Sequence, residues 1–451
     1  MFRLPPIAVV VLVGLCGCAT HHDRIAPVRD AFFAGDLALA KERLHAKKDV
    51  RLRNEDVKAL DEAMIELAAG RPREAERILR RVRDRFDHLQ QASLAEGAAS
   101  LLTDDNTRAY AGEDYERVMI RAMLAISNML GDGGDAEAYA LQITEEQNKI
   151  IERAKERHKE DPEAALAYKQ VAVGPYLRAM IKEQSPLTLD EAAGARLQVA
   201  NFAPDFRDAG TDLERARHEV PIPPGHGVLY VFALMGRGPV KEQTAEIATQ
   251  ASLLIADRII SAVSPRGLPP TLAPVWVPKV RTHVCIPDFV DVTVIGRAPE
   301  RTTTLMDIGR MAEQQAEAEF PQVIARAVAR RVVKKGVVYA AKEVTDATQG
   351  GLPSFLLSAL GVAWEATESA DTRCWSLLPD KIQVLRMELP AGEHGVIVQA
   401  SRHRGPLGGA KSKRIMIHEG RNTVALGMFP EGELVGELVV GGAGESSGGD
   451  E

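Results

Sequence analysis

The chain has 451 residues, 45% of them apolar and 26% charged, with a formal net charge of −7. That length suits two or three domains, and the composition excludes wholesale disorder. A mildly acidic protein has no general attraction for nucleic acid or for anionic lipid, so neither is expected as a partner through charge alone.

The first eighteen residues point to export. Arg3 gives a positive start, and the unbroken apolar run from Ile7 to Leu15 is too short to cross a bilayer, which takes roughly 20 residues. It has the size of a signal-peptide core. It ends in Leu15-Cys16-Gly17-Cys18, which resembles the bacterial lipobox and makes Cys18 the lipidation site, with residues 1–17 removed as a signal peptide. Cleavage after Ala19 is the alternative. Losing Arg3 would make the mature chain one unit more negative. Ala19 rather than Asp after Cys18 resembles the default sorting to the outer membrane, facing the periplasm, with residues 18–27 as a tether. No later stretch is long and apolar enough to span a membrane.

Residues 28–215 read as helix pairs. Gly35 precedes Ala40 by five residues and Leu44 by nine, and Gly70 stands in the same relation to Ala75 and Leu79. The two glycines are 35 apart, close to the 34-residue tetratricopeptide period. Gly turns the chain between helices and small Ala lets them approach closely. A looser third unit runs through Gly131 to Ala138 and Ile143, and a fourth covers 164–200. Repeats bury their faces on neighbours, so one tetratricopeptide-like α-solenoid is expected, with an irregular bundle as the alternative.

Pro221, Pro223 and Pro224 mark a boundary, and a mixed domain with antiparallel strands is expected over 220–440, giving an α+β chain. Strands are expected at 228–235, 273–280 and 290–295. A helix over 306–345 should break at Pro321. Two hairpins should follow, 382–389 with 395–400 and 414–418 with 423–428. The Gly/Ser/acidic tail 441–451 should be disordered.

After lipidation only Cys285 and Cys374 remain. An even count in an oxidising compartment permits a disulfide between them, and two buried free thiols are the other reading. Closing so long a loop would contribute about 4 kcal/mol in the chain-entropy model.

Motifs for chemistry are sparse. Lys411-Ser412 follows a glycine-rich stretch, but Ala410 replaces the glycine a phosphate loop needs, and both flanks read as strand. Arg326, Arg330 and Lys334 share one helix face and could bind an anion, although such a stripe is more often a solvated face opposite Val323, Ile324, Ala327 and Val328. His226, His283, His394, His403 and His418 have no metal-ligand spacing. No catalytic residue, metal site or cofactor site is assigned.

Three stretches carry a resemblance: Tyr115 to Asp132, Phe232 to Glu242, and Asp371 to Pro379 running on to His394. Together they resemble a family of uncharacterised bacterial tetratricopeptide-like lipoproteins of the cell envelope. The resemblance spans about residues 115–400 and implies association with other envelope lipoproteins, including relatives of activators of cell-wall synthases, but no activity or catalytic residue. The expectation is therefore a non-enzymatic envelope lipoprotein whose repeats bind a protein partner. An envelope hydrolase or transferase with a site in 220–440, and a structural tether, are the alternatives.

Overall fold

The computed structural model describes residues 20–46, 54–96, 109–263, 274–346 and 369–442. Within them the chain is a mixed helix-and-sheet protein whose sheets are mainly antiparallel. Cys18, the signal peptide and most of the C-terminal tail lie outside the described residues.

Ten helices come first. They are α1 (His21–Phe33), α2 (Leu37–Ala46), α3 (Glu55–Ala68), α4 (Pro72–Glu96), α5 (Asp114–Gly131), α6 (Ala136–Arg157), the single turn α7 (Pro162–Ala165), α8 (Val173–Lys182), α9 (Leu189–Phe202) and α10 (Ala209–Arg217). The tether expected at 18–27 is instead largely helix. Thr20 caps α1 and exchanges capping-box bonds with Asp23, so the helix starts at His21.

The first two Gly–Ala–Leu units are helical hairpins. Gly35 and Gly70 turn the chain at φ +81° and +74°, and Ala40, Leu44, Ala75 and Leu79 are all buried. The third unit is differently registered. Gly133 takes the positive φ, Ala136 and Ala140 are buried and Ala138 faces solvent. Counted from Gly133, the five- and nine-residue spacing of the first two units does not recur, although Ile143 is fully buried as expected.

The sheets begin at β1 (His226–Met235), close to the expected strand. They continue with β2 (Val240–Glu246), β3 (Val275–Arg281), β4 (Phe289–Val294), β5 (Glu300–Arg301), β6 (Thr303–Asp307), β7 (Lys381–Pro390), β8 (Gly392–Arg402), β9 (Gly405–Pro406), β10 (Lys411–Ile417), β11 (Asn422–Phe429) and β12 (Val435–Gly442). Two helices interrupt them, α11 (Gln250–Val263) and α12 (Ile308–Asp346).

Neither expected hairpin forms. One sheet runs β12-β11-β1-β7-β6, a second β10-β8-β4-β5 with β9 beside β8, and β2-β3 form a two-stranded third, so β7 and β8 belong to different sheets, as do β10 and β11. The turn at Pro390–Gly392 is a corner that carries the chain from one sheet to the other. The strand that does pair with β8 is β10, Lys411 opposite Val398. The glycine-rich stretch before Lys411 therefore joins two antiparallel strands, and no helix follows it.

These corners build three layers. Val228, Tyr230, Phe232 and Leu234 of β1 share a core with the helices. Leu229, Val231, Ala233 and Met235 share a second core with Val290, Val292, Val396, Val398 and Ile415 of the other sheet. A strand buried on both faces reads as a continuous apolar run, which is how β1 was visible. The helical and sheet-bearing halves are thus not separate packing units, because one core contains residues from Ile25 to Val439. At Gly436, φ +70°, an added Cβ would lie 2.0 Å from the Ala68 carbonyl oxygen, so only glycine lets β12 lie against the end of α3.

Helix α12 does not break at Pro321 but continues through it. From Phe320 onward its apolar side packs with α11 and β3 in a third, smaller core containing Ile324, Val328, Ala256, Ile260 and Val277. That burial outweighs the hydrogen bond a proline removes. Cys285 and Cys374 are free thiols, which corrects the bridge the cysteine count permitted. Cys374 is buried among Glu116, Lys241 and Asp61, while Cys285 donates to the Pro287 carbonyl at 3.3 Å beside Asp380.

Candidate functional site

Parts of residues 115–132, 232–242 and 371–380 meet at one junction. Residues 370–380 cross the helices without helix or strand and turn at Ser376–Leu377, where the Leu378 N–H donates to the Trp375 carbonyl at 3.5 Å. Ala370, Thr372, Arg373, Cys374, Trp375, Ser376, Leu377 and Leu378 are all buried. A buried backbone without a ladder must find other hydrogen-bond partners, and here carboxylates supply them. Glu116 accepts from the Trp375 N–H at 2.7 Å, and Asp61 accepts from the Leu377 N–H at 3.0 Å. On the sheet side the Gly238 N–H donates to the Leu378 carbonyl at 2.8 Å, and the Asp380 N–H donates to that of Met235 at 2.9 Å. The His22 N–H of α1 donates to the Thr372 hydroxyl at 3.1 Å.

The two acids sit in unusual surroundings for charge. Ten of the fourteen residues of α3 are buried, Asp61 among them. Burial pushes the Asp61 carboxyl up to about 8, so the neutral acid is its main form at pH 7. Its second oxygen has no hydrogen-bond partner. Burial raises Glu116 as well, opposed by the Tyr110 hydroxyl, which donates at 2.5 Å, and by the Trp375 N–H. Glu116 also accepts from the Glu113 N–H at 3.1 Å.

Two cations close the group. Burial alone would lower Lys241, but its ion pair with Glu113 and the nearby Asp371 and Glu116 hold it above the ordinary lysine range. Arg373 pairs with Asp371 at 2.6 Å and lies 5.3 Å from the Tyr110 ring centroid. Burial pushes the Cys374 thiol up to about 12, so it stays protonated and is a poor nucleophile. The Trp375 side chain is fully buried, with its indole N–H unpartnered. The junction holds an irregular, turning backbone through fixed carboxylate acceptors.

A second buried network ties the helices to β1 farther along. Arg196 of α9, fully buried, pairs with Glu183 at 2.8 Å and with Asp212 at 2.9 Å. The Tyr230 hydroxyl donates to Glu183 at 3.0 Å. These charges satisfy one another, which is how ions persist in an interior.

The basic face expected on α12 is only partly solvated. Arg326 and Arg330 are half-buried, and the Lys334 side chain lies outside the described residues. Arg326 adds to the positive field at Glu319, which also pairs with Arg157 and accepts from the Tyr168 hydroxyl at 2.8 Å. Arg331 donates to the Pro274 carbonyl at 2.5 Å. The five histidines of the second half do not gather. His394 sits 2.8 Å from the Pro390 carbonyl, and His403 sits 4.0 Å from Asp288. Among the described residues no three His, Cys, Asp or Glu side chains are placed to hold a metal ion, and no helix is long and apolar enough to cross a membrane.

Sequence reasoning missed Asp61 and took Glu116 and Lys241 only as parts of familiar stretches. The available signal was weak, because Asp61 is one of six charged residues in α3, and only its place beside Leu60 and Met64 on the buried side sets it apart. The chain matches no protein-family model, and no curated protein or solved structure is detectably similar to it.

Proposed function

We propose that this chain is a lipid-anchored, non-enzymatic protein of the bacterial cell envelope. In this reading Cys18 holds it on the periplasmic side of the outer membrane. Its helices are read as a tetratricopeptide-like solenoid that binds an envelope protein partner. The observation that carries the reading is the junction at residues 370–380. There, carboxylates on α3 and α5 accept backbone N–H groups from a buried segment that is neither helix nor strand, and the segment is the chain's own. The inner side of the helices is thereby occupied, so partner recognition is assigned to their outward faces. Leu187, in the turn between α8 and α9, is 91% exposed, and Leu197, on α9, is 42% exposed.

Site-specific photo-cross-linking in living cells tests this. A photoreactive residue at Leu187 or Leu197 is expected to give one discrete protein adduct, and the same residue at Ile295 or Met416 on the second sheet is expected to give none. Adducts from the sheet positions alone, or no adduct from either helical position, would contradict the assignment.

A further inference from the structure

A cavity of about 70 Å³ opens beside the junction, between α1, the turn from β1 to β2 and the buried segment. We propose that it binds a single tetrahedral oxyanion, a phosphate group, through Arg29 and Arg237. Its volume is far below the roughly 300–1,000 Å³ of pockets that take whole small molecules, so the ligand is one small group.

Arg29 carries the case. It is half-buried on α1, and among the described residues its hydrogen-bond partner is the His22 ring, with Nη1 3.2 Å from Nδ1 and Nη2 3.2 Å from Nε2. Burial and then Arg29 itself depress His22, and a neutral imidazole can accept only one hydrogen bond. Most of the five guanidinium donors are left over. Two acids feel Arg29: Asp61 across the junction, itself held mainly neutral, and Asp23 on the same helix, which its bonds to Thr20 hold ionised. An anion in the adjoining cavity would give the unused donors of this half-buried guanidinium a charged partner.

Other walls supply donors from different directions, as a tetrahedral group requires. Arg237 stacks 4.5 Å over the Phe33 ring. Its ion pair with Glu431 is well exposed on both sides, so it is weak and leaves other N–H groups available. His283 is held by its Nδ1, 3.2 Å from the Gly238 carbonyl. The buried Ser376 hydroxyl makes only a long 3.4 Å bond to the Cys374 carbonyl. Asp30 on the rim opposes an anion and sets a limit on affinity.

The phosphate group could be free or part of a lipid headgroup. Inorganic phosphate is titrated into the full chain by calorimetry, at ionic strength held constant with chloride. Saturable binding is expected, with Arg29→Gln and Arg237→Gln each weakening it at least about tenfold, the scale of one charge-assisted bond. Asp30→Asn should tighten binding several-fold, an effect that a merely structural role for these residues would not produce. Retention on phosphatidylglycerol vesicles that needs Arg29 and is competed by phosphate would place the group on a lipid. Saturation without such retention would make it free phosphate. Either supports the site. Phosphate binding no different from chloride, or unchanged in both arginine variants, overturns it.

Discussion

Replacing Cys18 by Ser is expected to abolish membrane retention completely. Among the described residues no helix can cross a membrane, so under the proposed reading lipid on Cys18 is the anchor. Acyl chains contribute about 0.8 kcal/mol per buried methylene, and stable anchoring takes more than one chain. Arg29 and the proposed phosphate cavity could add only a weak contact. The fold should be untouched, since α1 starts at His21 with its own cap at Thr20. Fractionation after a salt wash checks this, with metabolically supplied palmitate as a label. Labelling of the Cys18→Ser protein, or its persistence in the membrane fraction, would remove the anchor from the account.

Asp61→Asn is expected to stabilise the protein increasingly as pH rises from about 4 to about 8. The Asp61 carboxyl is raised from its ordinary value near 3.8 to about 8 by burial. Between those values the unfolded chain ionises this group while the folded chain keeps it protonated. The unfolded state then binds fewer protons, and stability falls with pH by at most about 1.4 kcal/mol per unit. The group's full contribution is present below the lower value and is lost as pH passes the upper one. Asparagine keeps an oxygen for the Leu377 N–H and cannot ionise. The difference between variant and wild type in urea unfolding should therefore grow with pH and level off above about 8. A difference independent of pH, or a variant less stable at pH 8, would show that Asp61 is ionised in the folded protein.

Some of this architecture was legible in the sequence, and the reasons differ by element. Gly35 with Ala40 and Leu44, and Gly70 with Ala75 and Leu79, announced two helical hairpins because a turn glycine and small contact residues are local requirements. The doubly buried β1 announced itself by its unbroken apolar run. The hairpin readings failed because alternation and a Pro–Gly turn specify two strands and a reversal, not whether the second strand pairs with the first. Here β7 turns at Pro390 into the opposite sheet, and β1 takes as its parallel neighbour β11, with Val228 opposite Asn422 almost two hundred residues away. Long-range pairing of that kind leaves no local trace. The junction was hidden for a related reason. Asp61, Glu116, Lys241 and Trp375 come from four separate parts of the chain, and each alone reads as an ordinary surface charge or core anchor. The phosphate cavity draws Arg29, Arg237, His283 and Ser376 from equally distant segments.

The central claim is that the inner side of the helices is filled by the chain's own residues 370–380. Native-state hydrogen exchange at the Trp375 and Leu377 amides reads this directly, since both N–H groups are buried and bonded only to carboxylates on α5 and α3. If the segment is a fixed part of the fold, both amides should exchange as slowly as the core of β1, at Val231 and Phe232, through global unfolding. Exchange as fast as that of the exposed turn at Gly133 would mean that the segment leaves its place readily, and that the inner side of the helices is open to a partner after all.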